Sequence, residues 1–336
     1  MPGRAFDAWF LALADPAPVG PPPPRPATLD PARACELAAW HGVLPALARN
    51  LRRLGTSDAS LKTLLEQAEE RLRQSVVLSL VLRKRLEAIA AAFLAAGIPA
   101  LVLKGPEFAD RLYDHPSLRP FTDLDFLLPR DAIADAGAAL QALGYHRDPE
   151  PPGKYPGDYG EEAWRLDDPA SGAVELHWNL VNSPPLRRRC SVEFGDLLVG
   201  GASLPREAQA GTLPRATPSA LLLTAAVHAA VSHRFDRLQP LCDVCQAARG
   251  AAGPVDSAWL AEAARRTGSG FALATALHLA GGAFREPACA ALAAALKPQP
   301  SRLLVSRVVT PRSVLHSRTL AAGLRRQLYR ELLKRI

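Results

Sequence analysis

Apolar residues recur at three- and four-residue steps over most of this chain, but not in a window from residue 97 to about 200. Upstream, Leu37, Trp40, Leu44 and Leu47, then Leu61, Leu64, Leu65, Leu72, Val76, Leu80, Leu86, Ile89 and Phe93, follow helical spacing. Gly55-Thr56-Ser57-Asp58 interrupts them, with Ser57 or Asp58 able to cap the next helix. After Pro218, Leu221 to Leu223, Val227, Val231, Leu238, Leu241 and Val244 resume it, and Leu260, Phe271, Leu277 and Leu292 continue it. Inside the window, Ala100 to Leu103 is a short unbroken apolar run and reads as a buried strand. Glu107 to Asp114 fits a short helix, and the prolines of His115 to Pro120 make a loop. Asp123 to Leu128 is a second strand, stopped by Pro129. Asp131 to Leu143 is a helix closed by Gly144, and Tyr145 to Asp148 a third strand. Ala163 to Asp167 and Ala173 to Leu180 flank the turn Asp168 to Gly172 as a hairpin. The expectation is an α+β protein: a small mixed sheet bracketed by two helical regions.

At 336 residues the chain is long enough for about two domains. The expected organisation is an N-terminal segment and proline-rich linker (1–30), a helical region (31–96), a sheet-containing core (97–205), a C-terminal helical domain (206–296) and a basic helical tail (297–336). Thirty-one prolines exclude a single helical rod or coiled coil. No run of about 18 uncharged apolar residues suggests a membrane span, and Arg4, Asp7 and Asp15 make the N-terminus a poor signal peptide. Five cysteines without framework spacing fit a reducing, cytoplasmic setting. From Lys297 onward ten basic residues face one acid, Glu331, so the tail carries +9 and leaves the first 296 residues at −2. Such a tail can be a solvated helix face or a dock for an anionic partner, and its removal is expected to leave the function of the core intact.

The chemistry points to Asp123-Leu124-Asp125. Residues i and i+2 of a strand share a face, so both carboxylates project together while Leu124, Phe126 and Leu128 face away. Two such charges at 4 Å repel by about 4 kcal/mol at an effective dielectric of 20. A divalent cation between them relieves that cost, and carboxylate oxygens suit Mg²⁺. In Val174-Glu175-Leu176-His177-Trp178, Glu175 and His177 also share a face; if this strand lies beside the first, Glu175 is the third acid. Three acids on one sheet edge can hold two Mg²⁺ for an in-line phosphoryl displacement. Lys104-Gly105 ends the preceding strand, where a tight turn into a helix N-terminus and a lysine point charge suit a phosphate, though a snorkelling lysine explains the pair as well. Arg119, in the loop before the acids, could reach the same phosphates or pair on the surface.

The run Leu103-Lys104-Gly105-Pro106-Glu107-Phe108-Ala109-Asp110-Arg111-Leu112-Tyr113, then Pro116, Arg119 and Thr122-Asp123-Leu124-Asp125-Phe126-Leu127-Leu128, resembles the uncharacterised nucleotidyltransferase family of the polymerase-β-like superfamily. Gly144-Tyr145, Glu175-Leu176-His177-Trp178, His228, His233 and Leu241-Cys242-Asp243-Val244 continue the likeness in order, over about residues 35–250. The resemblance implies a minimal nucleotidyltransferase fold in which Asp123, Asp125 and Glu175 hold Mg²⁺ and act in catalysis. A nucleoside triphosphate, ATP the first choice, binds beside them, and an acceptor hydroxyl attacks the α-phosphate with loss of pyrophosphate. Lys104, Gly105 and Arg119 are the expected triphosphate contacts, with His228 and Asp243 as helix-borne candidates for the nucleotide. The superfamily's usual glycine-serine turn is replaced here by Lys104-Gly105, with a longer separation from the acids. The acceptor is left open among sugars, antibiotic-like small molecules, peptides, proteins and RNA.

Two competing readings have sequence support. His228, His233, Cys242 and Cys245 fall within eighteen residues, but a His-x4-His step puts the histidines off a common α-helical face, which argues against zinc. Alternatively, the helical regions and the tail, with Leu315, Leu320, Leu324, Leu328 and Leu332 among arginines, form a non-catalytic module that docks on nucleic acid or a protein. Intact acids at all three positions favour the enzyme.

Overall fold

The computed structural model describes residues 3–55, 58–149, 157–168, 171–198, 212–296 and 308–335. Thr56, Ser57, Lys297 and the Val76 side chain, named above, lie outside the described set, as do two residues of the Asp168 to Gly172 turn and two further basic residues of the tail. The protein is 61% helical with a five-stranded mixed sheet, an α+β architecture. The strands are β1 (Leu101–Leu103), β2 (Asp123–Leu127), β3 (His146–Arg147), β4 (Glu161–Arg165) and β5 (Ala173–His177), in the order β1-β2-β5-β4-β3. Every neighbouring pair is antiparallel except β2 and β5, which run parallel. A parallel pair needs a crossover, and the 45 residues between these strands contribute the helix α6 (Ile133–Ala142) and the strands β3 and β4.

Strand alternation divides the sheet into two faces. Leu124, Phe126, Trp164, Val174 and Leu176 join Leu82, Ile89 and Phe93 of α4 (Ala59–Ala95) and Ile133, Ala136 and Leu140 of α6 in one apolar cluster. Phe93 meets Phe126 edge-on at 5.3 Å. Asp123, Asp125, Glu175 and His177 occupy the opposite face.

That polar face lies under helices from both ends of the chain. α1 (Arg4–Ala14), α2 (Pro31–Trp40) and α3 (Leu44–Leu54) share a second core with α8 (Pro218–Val227), α9 (Gln239–Ala248), α10 (Ser257–Arg266), α11 (Gly270–Phe284) and α12 (Pro287–Ala295). α5 (Gly105–Arg111) follows β1, and the one-turn α7 (Pro184–Arg187) follows β5. The starts of these helices obey local chemistry: Asp30, Asp58, Thr217 and Asp256 each accept a bond from the first-turn backbone. The apolar patch ahead of the proline-rich stretch is α1, whose Trp9, Phe10 and Leu13 are wholly buried in this second core.

The basic tail differs from the expectation of a removable appendage. Its described part forms α13 (Pro311–Leu315) and α14 (Leu320–Arg335), and Val314, Leu315, Tyr329 and Leu333 are buried in the second core. The Tyr329 ring lies 5.2 Å from Phe235 and stacks on Phe271 at 5.7 Å. Leu320, Leu324 and Leu328 face outward. Among the described residues no helix is long and apolar enough to cross a membrane.

Candidate active site

Asp125 and Glu175, fifty residues apart, sit directly opposite one another in the parallel β2–β5 register. Asp125, Glu175 and His177 each present a ligand atom within 4.8 Å of the others. Asp125 is 1% exposed and is held by two cations: Lys104 Nζ lies 2.6 Å and His177 Nε2 3.1 Å from its Oδ1. His177 Nε2 also lies 3.3 Å from Glu175, while its Nδ1 is 3.3 Å from Glu161. Glu161 reaches this point because it pairs with His177 across the antiparallel β4–β5 ladder, and Asn182 donates to its carboxylate.

Burial works against all of these charges, and proximity decides the outcome. For Asp125 desolvation is outweighed by Lys104 and His177, which hold its carboxyl well below the usual range. His177 likewise loses solvent but gains bonds to Asp125 and Glu175, which push its pKa up to about 10. Asp123 moves the other way, raised by burial and then by the charge of Asp125. Glu161 is raised, again chiefly by burial.

Lys104 reaches Asp125 through a strained turn. Its φ is +36° and that of Gly105 is +30°, between the end of β1 and the start of α5. A Cβ at Gly105 would lie 3.3 Å from the Asp123 carbonyl oxygen, so this glycine lets the turn lie against β2.

A cavity of about 180 Å³ opens above these groups, bordered by Lys104, Asp123, Glu161, Glu175, His177, Asn182, His228 and His233. The two histidines correct the expectation that they lie on different faces. His228 to Ser232 is a π-helical turn in which the His233 N–H donates to the His228 carbonyl at 3.1 Å. The extra residue per turn brings the rings edge to face, 4.6 Å apart. Burial, then the charge of Lys104, keeps His228 neutral. His233 Nδ1 lies 3.0 Å from Asp236. The four zinc candidates do not converge: Cys242 and Cys245 are buried in the second core, with Cys242 directed at the Ala14 carbonyl.

Arg119 and Asp243 are together but not in the cavity lining. Arg119, 6% exposed, grips Asp243 with two bonds of 2.9 Å, and the Tyr113 hydroxyl donates to Asp243 at 2.7 Å. Arg119 Nη1 also lies 3.5 Å from the Gly105 carbonyl, so the pair ties α9 to the Lys104 turn. A larger groove of about 550 Å³ lies elsewhere, between α1, Pro18 to Pro23 and the end of α11. Its Arg249 is bonded to Asp15 and Glu286.

His177, Glu161, Asn182 and His233 were not among the residues assigned roles from sequence. The hairpin read from sequence begins at Ala163, so it leaves out Glu161, which pairs with His177; for His233 the sequence carries no sign of the π turn.

A model of the uncharacterised nucleotidyltransferase family matches residues 27–285, more than half of the chain. The protein belongs to this family. No curated protein and no solved structure matches it. Membership makes this nucleotidyltransferase an enzyme of phosphorus-containing group transfer. The matched span ends before α12, so in this nucleotidyltransferase α12, α13 and α14 lie outside it.

Proposed function

We propose that this protein transfers a nucleoside monophosphate from a nucleoside triphosphate, ATP first among them, to an acceptor hydroxyl with release of pyrophosphate. The observation that carries the reading is the Asp125–Glu175 pair, set side by side by a parallel strand register. The oxygen donors suit a divalent cation: Asp125 and Glu175 present ligand atoms within 4.8 Å of each other and Asp123 lines the same cavity, so these carboxylates would hold the ion in the place on Asp125 that Lys104 and His177 now take. Mg²⁺ bound there supplies Lewis-acid polarisation of the α-phosphate.

The chain's own groups do the rest. The acceptor oxygen bonds to the α-phosphorus as the bond to the bridging oxygen breaks, and Glu175 takes the hydroxyl proton. Lys104 lines the cavity as a cation for an entering phosphate, and neutral His228 offers a hydrogen bond to the nucleotide. Gly105 keeps the turn close to Asp123. Arg119 and Asp243 serve as positioning residues, since each is occupied by the other and together they brace that turn.

The test is equilibrium binding and turnover of labelled nucleoside triphosphates with Mg²⁺, with nucleotidylated products sought by mass spectrometry. Asp123→Ala/Asp125→Ala should abolish Mg²⁺-dependent binding and lower turnover by about a thousandfold or more, as loss of several kcal/mol of charge stabilisation requires. Asp125→Asn keeps the shape and should be equally inactive. Variants that bind and react like the parent overturn the metal assignment.

A further inference from the structure

The two cations placed beside the acids from sequence both have internal partners: Lys104 sits on Asp125 and Arg119 on Asp243. A triphosphate carries more negative charge than Lys104 alone can balance. Three other arginines lie close to one another, outside the cavity lining itself. Arg234 directly follows His233, a lining residue, and the backbone there is held in the left-handed region at Arg234 (φ +50°) and Phe235 (φ +58°). Phe235 is buried against Tyr329 of α14. Arg326 and Arg330 lie four residues apart on one face of α14, flanking Tyr329 in sequence, so the ring contact pins them beside Arg234.

The three guanidinium groups, with Arg237 beside them, outnumber the two acids that face them, Asp236 and Glu331. Neither Arg234 nor Arg330 has an ion-pair partner among the described residues, and Arg326 donates to the Ser317 carbonyl at 2.7 Å. Asp236 is bonded to His233 and is shared among Arg237, Arg326 and Arg234, while Glu331, which faces Arg330, is bonded to Lys334. Burial, then Arg330 and Arg326, lowers the proton affinity of Arg234, as expected of cations crowded together. Arg330 also acts on Tyr159, which is bonded to Asn182, itself bonded to Glu161 of the cavity wall. Crowded like charges on a buried ring contact are the counterpart of the paired carboxylates: each arrangement is relieved by an ion of the opposite sign.

We infer that Arg234, Arg326 and Arg330 form a phosphate-binding site at the cavity mouth that takes the β- and γ-phosphates of the nucleoside triphosphate. Guanidinium forks match phosphate oxygens two at a time, which a lysine cannot do. The site rests on the proposed reaction for its ligand, but its arginines come partly from α14, outside the family's matched span.

The test uses the full chain and three probes: ATP, AMP and inorganic tripolyphosphate, titrated against the parent and Arg326→Ala/Arg330→Ala. Affinity for ATP and tripolyphosphate should fall at least about tenfold, as loss of charged hydrogen bonds implies, while AMP affinity stays within about twofold. Arg326→Lys/Arg330→Lys should recover part of the loss, and Arg335→Ala, on the exposed end of α14, should lose none. Thermal melting confirms the fold; should the double variant not fold, Arg330→Gln replaces it, with the same pattern expected at smaller size. Unchanged ATP affinity in a folded variant overturns the inference, as does loss of RNA-oligonucleotide binding with ATP binding intact, which would give the arginines to an acceptor. A parent that binds tripolyphosphate through these arginines yet transfers no nucleotide sinks the proposed reaction and leaves the anion site standing.

Discussion

His41 is wholly buried at the end of α2, and its Nε2 donates to the Leu315 carbonyl at 3.0 Å while Nδ1 has no partner. Burial lowers its pKa from 6.5 to about 4. The unfolded chain therefore takes up this proton first, and stability falls as pH drops from about 6.5 to about 4, by about 3 kcal/mol in full. His177 works in a separate window: its folded pKa of about 10 lies above 6.5, so its contribution is whole below 6.5 and fades as pH rises toward 10. Urea unfolding at several pH values should show a shallower acid limb for His41→Gln than for the parent. Identical limbs would place the acid sensitivity in another group. Neither histidine's state was legible from its neighbours in sequence, because His41 is buried against Leu315, 274 residues away, and His177 is held by Asp125, 52 residues away.

At the scale of elements, what could be read in advance followed periodicity, and what could not depended on departures from it. Alternation placed Asp123 and Asp125 on one face and Leu124 and Phe126 on the other, as the two sides of the sheet show. The hairpin was legible in kind but two residues out in its first strand, enough to hide Glu161. The π turn could not be read, since a five-residue step between histidines looks wrong on an α-helical template. The Arg119–Asp243 pair was visible as two charges but not as partners, being 124 residues apart. The turn from β1 into α5 allows a direct test. Gly105→Ala puts a Cβ 3.3 Å from the Asp123 carbonyl at a φ of +30°, and should cost about 1–3 kcal/mol in urea unfolding. Parental stability in that variant would mean that the turn relaxes without strain.

For the whole molecule, the tail is part of the core. A chain ending at residue 307 loses Val314, Leu315, Tyr329 and Leu333, each worth about 1.5–3 kcal/mol of burial. Together that is comparable with the roughly 5–15 kcal/mol that holds an ordinary domain folded. Such a chain should be insoluble or show no cooperative thermal transition; a sharp melt at the parental temperature would return the tail to the status of an appendage. Its charge disguised this role, because ten basic residues read as a solvated surface while Tyr329 and Leu333 are few and widely spaced. The Lys104–Asp125 contact bears on how the sheet can assemble at all. Lys104 comes with β1, the antiparallel partner nearest β2 in sequence, so one neighbour of the acid strand carries a counter-charge while the other, β5, adds Glu175. The chain thus brings its own counter-ion to its acidic seam.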